Sequence, residues 1–274
     1  MSLHKKIDAS KRFLELVLSD TNRLQLANSG GKDSLVIYTL AKEVGHNIPI
    51  IHTNTTIDPD GTLPFIRSEM PETIIMHPEE SFYQLVTRKM LPVRKNRYCC
   101  EYLKEYAGIG MRTIEGVRAS ESSSRSGREI ISCDTRKTME KDGFRAQHIY
   151  PIYEWSDDDV WGFIRMRGLE VAPCYHLGLK RLGCVGCPQV TKKGIREKEF
   201  QLYPRRYDAC KKAIDKGMQL HPTWKITRYT DGDAEKAMKW WLSSKPMYEY
   251  FGYDLPFIRK SKFNPAPEQK ERKR

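Results

Sequence analysis

The 274-residue chain has no apolar run approaching the length of a membrane span, and charges interrupt every window of that size. Its first residues, Met1 to Lys6, lack the apolar stretch of a secretory signal, so a cytoplasmic location is expected. The seven histidines show no H-E-x-x-H spacing, and neither a G-x-S-x-G elbow nor a G-x-G-x-x-G turn after a strand is present. Zinc-protease, serine-hydrolase and Rossmann dinucleotide signatures are therefore missing. An even cysteine count is missing too. Seven cysteines (Cys99, Cys100, Cys133, Cys174, Cys184, Cys187 and Cys210) argue against a disulfide framework and for ligation, catalysis or buried thiols. Acidic residues are in deficit, 35 against 47 Lys and Arg, and the formal +12 implies anionic partners such as nucleotides, sulfate, phosphate or nucleic acid.

What is present suffices for a core. A chain of this length buries roughly 75% of its unfolded surface, and 39% of its residues are hydrophobic. An apolar stripe through Ile7, Phe13, Leu14 and Val17 predicts a first helix. Short strands are expected at Leu24 to Ala27, Ile48 to His52, Thr73 to Met76, Met111 to Val117 and His148 to Ile152, with helices between them. That alternation predicts an α/β fold: a mainly parallel five-stranded sheet with helices on both faces. After about Thr191 strand signals stop, and helical patterns such as Ala234 to Leu242 take over. The expected division is an α/β domain at 1–190, a helical region at 191–258 and a basic tail at 259–274.

Between the first strand and the helix that follows lies Asn28-Ser29-Gly30-Gly31-Lys32-Asp33-Ser34. Two glycines let the backbone turn tightly and approach an anion without a Cβ in the way. The unpaired N–H groups and dipole of the next helix favour phosphate there. Ser29 and Ser34 offer hydroxyls, Lys32 offers charge, and Asp33 is placed to hold Mg²⁺ bound to pyrophosphate. The spacing is not that of a Walker A loop.

Cys99-Cys100 precedes Cys184-Val185-Gly186-Cys187 by 84 residues. A C-x-x-C pair sets two thiolates on one tight turn, half of a common metal site. Adjacent cysteines diverge, which suits a cubane with irons at separate corners better than one tetrahedral zinc, although ligand softness permits either. Cys133, Cys174 and Cys210 lack partners at ligand spacing and read as buried small hydrophobes.

Ser29-Gly30-Gly31-Lys32-Asp33-Ser34 resembles the SGGxDS loop of the PP-loop ATP pyrophosphatases, whose fold is adenine nucleotide alpha-hydrolase-like. Tandem cysteines followed by C-x-x-C resemble the [4Fe–4S] pattern of adenylylsulfate reductases and of DndC-type proteins of DNA phosphorothioation, all in the phosphoadenylylsulfate (PAPS) reductase family. The resemblance implies a [4Fe–4S] cluster, or alternatively Zn²⁺, on Cys99, Cys100, Cys184 and Cys187. It implies Mg²⁺ with ATP, or a sulfonucleotide, on Asn28 to Ser34. Gly116 to Ser122 with Arg125 is similar to the family's arginine-bearing segment, so Arg118 and Arg125 are expected to clamp phosphate or sulfate. Lys104 matches a lysine near cluster and substrate anion, and Arg181 is a further anion contact. Pro151-Ile152 with Trp155, Val160 and Trp161 resembles a family stretch read as packing.

Two departures matter. The family's acidic D-T-G stretch appears as Asn54-Thr55-Thr56, which assigns adenosine recognition to Asn54 in place of an Asp. The nucleophilic cysteine of the reductases' C-terminal tail is missing, since no cysteine follows Cys210. The leading expectation is an ATP pyrophosphatase acting in sulfur transfer, with Lys32, Asp33, Arg118 and Arg125 as catalytic residues and a sulfur donor protein as partner. One alternative is a PAPS or adenylylsulfate reductase that uses Cys133, Cys210 or a partner's thiol with a thioredoxin-like reductant. Another is a zinc-stapled nucleic-acid-binding module without catalysis. The segment 259–274 carries seven basic residues against two Glu, and its composition leads us to expect a mobile solvated tail that could meet nucleic acid through salt-sensitive contacts. Seven aromatics between Trp240 and Phe257 read chiefly as anchors for the C-terminal helices.

Overall fold

The computed structural model describes residues 1–190 and 192–252, apart from the side chain of Ser124. The basic tail, and the last residues assigned to the helical region with Tyr253 and Phe257, lie outside the described residues. The first half runs α1 (Leu3–Leu18), β1 (Leu24–Ala27), α2 (Lys32–Glu43), β2 (Ile50–Thr53), α3 (Thr62–Glu69), β3 (Thr73–Met76), α4 (Phe82–Lys89), α5 (Tyr98–Leu103) and β4 (Arg112–Ile114). Then follow α6 (Ser123–Ser126), β5 (Ile131–Cys133), the hairpin β6 (Glu140–Lys141) and β7 (Phe144–Arg145), β8 (Gln147–Ile149), α7 (Asp157–Arg167) and α8 (Pro173–His176). Five helices complete the described chain: α9 (Ile195–Leu202), α10 (Pro204–Leu220), α11 (Lys225–Thr230), α12 (Ala234–Ser243) and α13 (Met247–Phe251).

The sheet has the order β3-β2-β1-β4-β8-β5. Its first five strands pair parallel and are the five expected ones; β5 adds an antiparallel sixth edge on β8. Three residues with an exposed Ile131 and an exposed Cys133 carry no readable period, which is why β5 has no signature in the sequence. From β1 the chain steps outward to β2 and β3, then crosses back to β4 on β1's other side. The carboxyl ends of β1 and β4 therefore flank a topological switch point, where a crevice opens in such sheets.

Register divides the two faces. Ile50, Leu26, Ile114 and Ile149 are mutual partners across four strands and point into one core with helices α1, α2 and α7. The adjacent row, Gln25, Thr113 and His148, faces the other way and is polar. Gln25 Nε2 donates to the Ala107 carbonyl at 2.8 Å and to Thr113 Oγ1 at 3.1 Å. Trp155 and Val160 are buried in the first core, as the packing reading anticipates.

A second core joins the C-terminal helices to the α/β layer. Leu85 and Val86 of α4 pack with Ala213, Ile214 and Met218 of α10, and Trp240 and Trp241 of α12 close the cluster. Trp241 Nε1 donates to the Pro92 carbonyl at 2.6 Å. Tyr248 and Tyr250, by contrast, stay exposed. Helices α4 and α10 approach so closely that a Cβ on Gly217 would sit 2.9 Å from the Thr87 carbonyl oxygen. A Gly217→Val substitution is therefore expected to force the helices apart and cost about 1–3 kcal/mol, read as a lower midpoint in urea unfolding followed by tryptophan fluorescence.

Candidate functional site: a cleft shared by a phosphate loop and four cysteines

The turn after β1 is shaped from beneath. Asn28 is buried; its Oδ1 accepts from the Gly30 N–H at 2.9 Å and its Nδ2 donates to Thr73 Oγ1 at 2.9 Å. Gly30 has φ +76°, and a Cβ there would meet Ile66 and Thr62 of α3 at 3.1–3.2 Å. Ser29 Oγ lies 3.1 Å from Ser34 Oγ and accepts from the Gly31 N–H at 3.2 Å, while Ser34 Oγ donates to the Gly31 carbonyl at 2.8 Å. The Lys32 N–H donates to the Tyr175 hydroxyl at 2.9 Å. The amides of Asp33 and Ser34 belong to the first turn of α2 and have no partner within the helix. Two hydroxyls and these amides, at the positive end of a helix dipole, form an anion cradle.

Four charged groups lock this cradle from behind. Lys32 Nζ lies 3.2 Å from both Asp33 Oδ2 and Asp157 Oδ1. Arg118 places Nε 2.6 Å from Asp33 Oδ1 and Nη2 3.0 Å from Asp157 Oδ1. Lys32 is 4% exposed and Arg118 2%, so two buried cations meet the half-buried Asp33 and the exposed Asp157 in a charge-balanced quartet. Burial pushes the Asp157 carboxyl up, but Lys32 and then Arg118 outweigh it and hold it below its ordinary value. Neither Lys32 nor Arg118 lines the cleft, whereas Asp33 does, with each of its oxygens paired to a cation. Gly116, at the end of β4, lets that strand meet the loop, for a Cβ there would be 2.7 Å from the Asp33 carbonyl carbon.

The cleft in front of the loop has a volume of about 300 Å³, and Ser29, Gly31, Asp33 and Ser34 line it together with Cys99, Cys100, Cys184 and Cys187. Lys104, Arg125 and Arg181 line it as well. Arg125 is paired with Glu121, whereas Lys104 and Arg181 make no ion pair within 4 Å among the described residues. Asn54 does not face this cleft; its side chain accepts from the Thr56 N–H at 2.9 Å and lies 3.3 Å from the His77 ring. A second lobe of about 410 Å³ extends over the polar sheet row and is joined to the first at Ala27, Ser29, Lys104, Glu115, Leu182 and Gly183.

The cysteines share a positive surrounding. Cys99 hydrogen-bonds to Cys100, and this bond, with Lys104 and Arg97 nearby, draws the Cys100 thiol down to about 6 against the pull of burial. The same bond and burial push Cys99 up. Burial pushes the Cys184 thiol up to about 11, and its Sγ donates to Thr55 Oγ1 at 3.7 Å. Lys104 is held above its ordinary value by Cys184 first, then by Asp58 and Cys100. As placed, no three His, Cys, Asp or Glu side chains among the described residues converge on one metal point. Four sulfur donors distributed around a cleft fit a polynuclear iron–sulfur cluster, whose ligands sit at separate corners. The remaining thiols line neither lobe. Cys174 and Cys210 are buried, and Cys133 is exposed on β5.

The C-x-x-C turn is gripped by α9. Glu199 Oε2 accepts from the Gly186 N–H at 2.8 Å and Arg196 Nε donates to the Gly186 carbonyl at 3.0 Å. Arg196 is 3% exposed, stacks on Trp241 at 4.3 Å and donates to the Trp241 carbonyl at 2.6 Å. Gly186 has φ +69°, and a Cβ there would strike the Phe200 ring at 2.2 Å. Asp157, Arg196 and Glu199 carry no motif and were not singled out in the sequence. The Ser156-to-Asp159 capping box marks where α7 starts but not that it starts beside the loop.

Three outcomes test this geometry. Gly116→Ala is expected to displace Asp33 and weaken ATP binding at least tenfold by calorimetry, with the helical content of the chain unchanged. Glu199→Gln is expected to lower the metal retained per chain after gel filtration, without unfolding the second core. His148 is held above its ordinary value by its hydrogen bond to Glu115 and by Asp134, against the effect of burial. A raised histidine stabilises the fold fully below the unfolded value of about 6.5 and loses that contribution as pH rises through the folded one. His148→Gln is thus expected to lower Tm by about 2–4 °C at pH 5.5 and by less at pH 8.5.

Comparison with known proteins places the family. Residues 23–190 match the phosphoadenosine phosphosulfate reductase domain. An uncharacterized protein of Methanocaldococcus jannaschii is 27% identical over 219 residues, 74% of this chain and 50% of that protein. The adenosine 5'-phosphosulfate reductase of Allochromatium vinosum is 23% identical over 203 residues, 68% of this chain and 76% of the other. The chain spans about half the length of the two Methanocaldococcus jannaschii relatives it matches. The crystal structure of phosphoadenylyl-sulfate reductase from Candida auris, a phosphate complex, shares the fold with a TM-score of 0.50, 16% identity, and coverage of 64% of this chain and 88% of that one. No helix among the described residues is long and apolar enough to cross a membrane. The chain belongs to the phosphoadenosine phosphosulfate reductase domain family.

Proposed function

We propose that this protein is a nucleotide-dependent sulfur-transfer enzyme, an ATP pyrophosphatase of DndC-like type with a four-cysteine iron–sulfur centre. The observation that carries the reading is the single cleft lined both by the Ser29-to-Ser34 cradle and by Cys99, Cys100, Cys184 and Cys187. Phosphates dock on the Ser29 and Ser34 hydroxyls and the first amides of α2. Lys104 and Arg181, free of ion pairs, neutralise charge developing on the transferring phosphoryl group. Arg125 joins them once its pairing with Glu121 yields to the substrate. Lys32, Asp33 and Arg118 act by holding the loop still, so the amides need no reorganisation during reaction. Mg²⁺, arriving with the nucleotide, shields the pyrophosphate.

In the activating step an acceptor oxygen attacks the α-phosphorus, the bond to the bridging oxygen breaks, and pyrophosphate leaves with the electron pair. A sulfur nucleophile then displaces AMP from the adenylylated carbon or phosphorus, which puts sulfur where oxygen stood. An iron–sulfur cluster held by the four cysteines supplies a soft, redox-active centre beside this chemistry. Sulfonucleotide reduction is disfavoured by the thiol positions, since Cys133, Cys174 and Cys210 do not line the cleft.

The test is to purify the protein anaerobically, measure iron, sulfide and zinc, and assay pyrophosphate release from ATP with sulfide and candidate acceptors. Iron and sulfide near four per chain, lost in Cys184→Ser, together with ATP binding and pyrophosphate release, are expected. Binding of adenylylsulfate but not ATP, with thioredoxin-dependent sulfite release, would overturn the sulfur-transfer reading in favour of a reductase. Zinc without iron and no pyrophosphate release would overturn both.

A further inference from the structure

We infer that the mouth of the cysteine cleft is a docking rim for single-stranded nucleic acid, which presents the acceptor nucleotide to the cleft. The acceptor role rests on the sulfur-transfer reading above; the binding itself does not. The rim is built from three short segments that flank the cysteines: Arg94, Lys95 and Arg97 before Cys99, Lys180 and Arg181 before Cys184, and Lys192 and Lys193 after Cys187. All seven side chains are exposed. None makes an ion pair within 4 Å among the described residues, although the other described cations of the cleft region are largely paired. Neither residues 81–100 nor residues 171–196 contain a single Asp or Glu. The segments are adjacent in space: Gln189 Nε2 donates to the Arg94 carbonyl at 3.1 Å, and Arg97 and Arg181 line the two lobes of the cleft.

Exposed cations without an ion-pair partner maintain a positive potential that a polyanion neutralises. An acidic protein is the less suitable occupant. Protein interfaces anchor on apolar and aromatic side chains, and residues 90–97 and 180–193 expose no large hydrophobic side chain. Nucleic acid needs none, because its affinity comes from phosphate contacts with release of counterions. A duplex cannot bring a base or backbone atom into a cleft of about 300 Å³, whereas an unpaired strand runs along the rim and turns one nucleotide inward.

The test uses the full chain and a labelled single-stranded 20-nucleotide oligomer, with anisotropy followed from 50 to 400 mM salt. Seven phosphate contacts on a single strand give a log–log salt slope of about −5. The rim variant Arg94→Ser, Lys95→Ser, Lys180→Ser and Lys193→Ser is expected to bind roughly a hundredfold more weakly at 100 mM salt, with a slope near about −2. Its ATP affinity is expected to stay unchanged, since none of those four residues lines the cleft. The charge-matched control Lys5→Ser, Arg12→Ser, Arg67→Ser and Arg165→Ser, exposed and equally unpaired, is expected to bind as the parent does. Both variants keep the 259–274 tail, so any binding by the tail is common to them. No oligomer binding at 50 mM salt, or equal losses in rim and control variants, would overturn the proposal. So would displacement of the oligomer by poly-glutamate at equal charge, which points to an acidic protein instead. Failure of pyrophosphate release with oligomer binding intact would remove the acceptor role alone.

Discussion

Four charged side chains, Lys32, Asp33, Arg118 and Asp157, hold the working end of this molecule together. They join the loop after β1, the loop after β4 and the first turn of α7, three pieces of chain far apart in sequence. Removing the Asp33 carboxylate would leave the buried Lys32 and Arg118 with only the solvent-exposed Asp157 as counter-charge, which is destabilising. The quartet's balance therefore has a geometric consequence. With its charges satisfied internally, the loop turns its hydroxyls and amides outward, and the cleft receives its free positive charge from Lys104 and Arg181. Preorganised amides and a few unpaired cations form a better anion site than a cluster of cations that must first be released from carboxylates.

The second structural dependence runs through the C-terminal helices. They pack on α4 and α5, and from that platform α9 holds both backbone groups of Gly186. The C-x-x-C turn lies inside the segment that matches the family, but Glu199, Arg196 and Phe200 lie beyond it. The C-x-x-C turn is thus braced by a region outside the matched domain, which ties its geometry to the packing of the second core. The same turn carries Arg181 on one side and the exposed Lys192 and Lys193 on the other, so the cysteine side of the cleft and the basic residues of the proposed rim are built on one short stretch.

Much of this is legible in the sequence, because the relevant signals are local. The five parallel strands, the glycine loop and the two cysteine pairs each announce themselves within a few residues. What the sequence hides is set by contacts between distant segments. Asp157 reads as a helix-capping acid until the fold brings it beside Lys32. Lys32 and Arg118 read as free cations because the fold, not the sequence, brings Asp157 to Lys32 across 125 residues and Asp33 to Arg118 across 85. Arg196 reads as one more surface arginine on an amphipathic helix, yet it is among the most buried charges in the chain. Asn54 occupies the place of an acid in the relatives' pattern, but its neighbours turn it toward Thr56 and His77, away from the cleft.

The central claim is that nucleotide and cysteines occupy one cleft, and thiol reactivity measures it directly. Metal-free protein is treated with iodoacetamide with and without saturating ATP, and the modification of each cysteine is followed by mass spectrometry. Bound nucleotide is predicted to slow alkylation of Cys100 and its three neighbours in the cleft at least fivefold, while Cys133, exposed on β5, reacts at an unchanged rate. Equal rates at all five cysteines, with ATP shown by calorimetry to be bound, would contradict it.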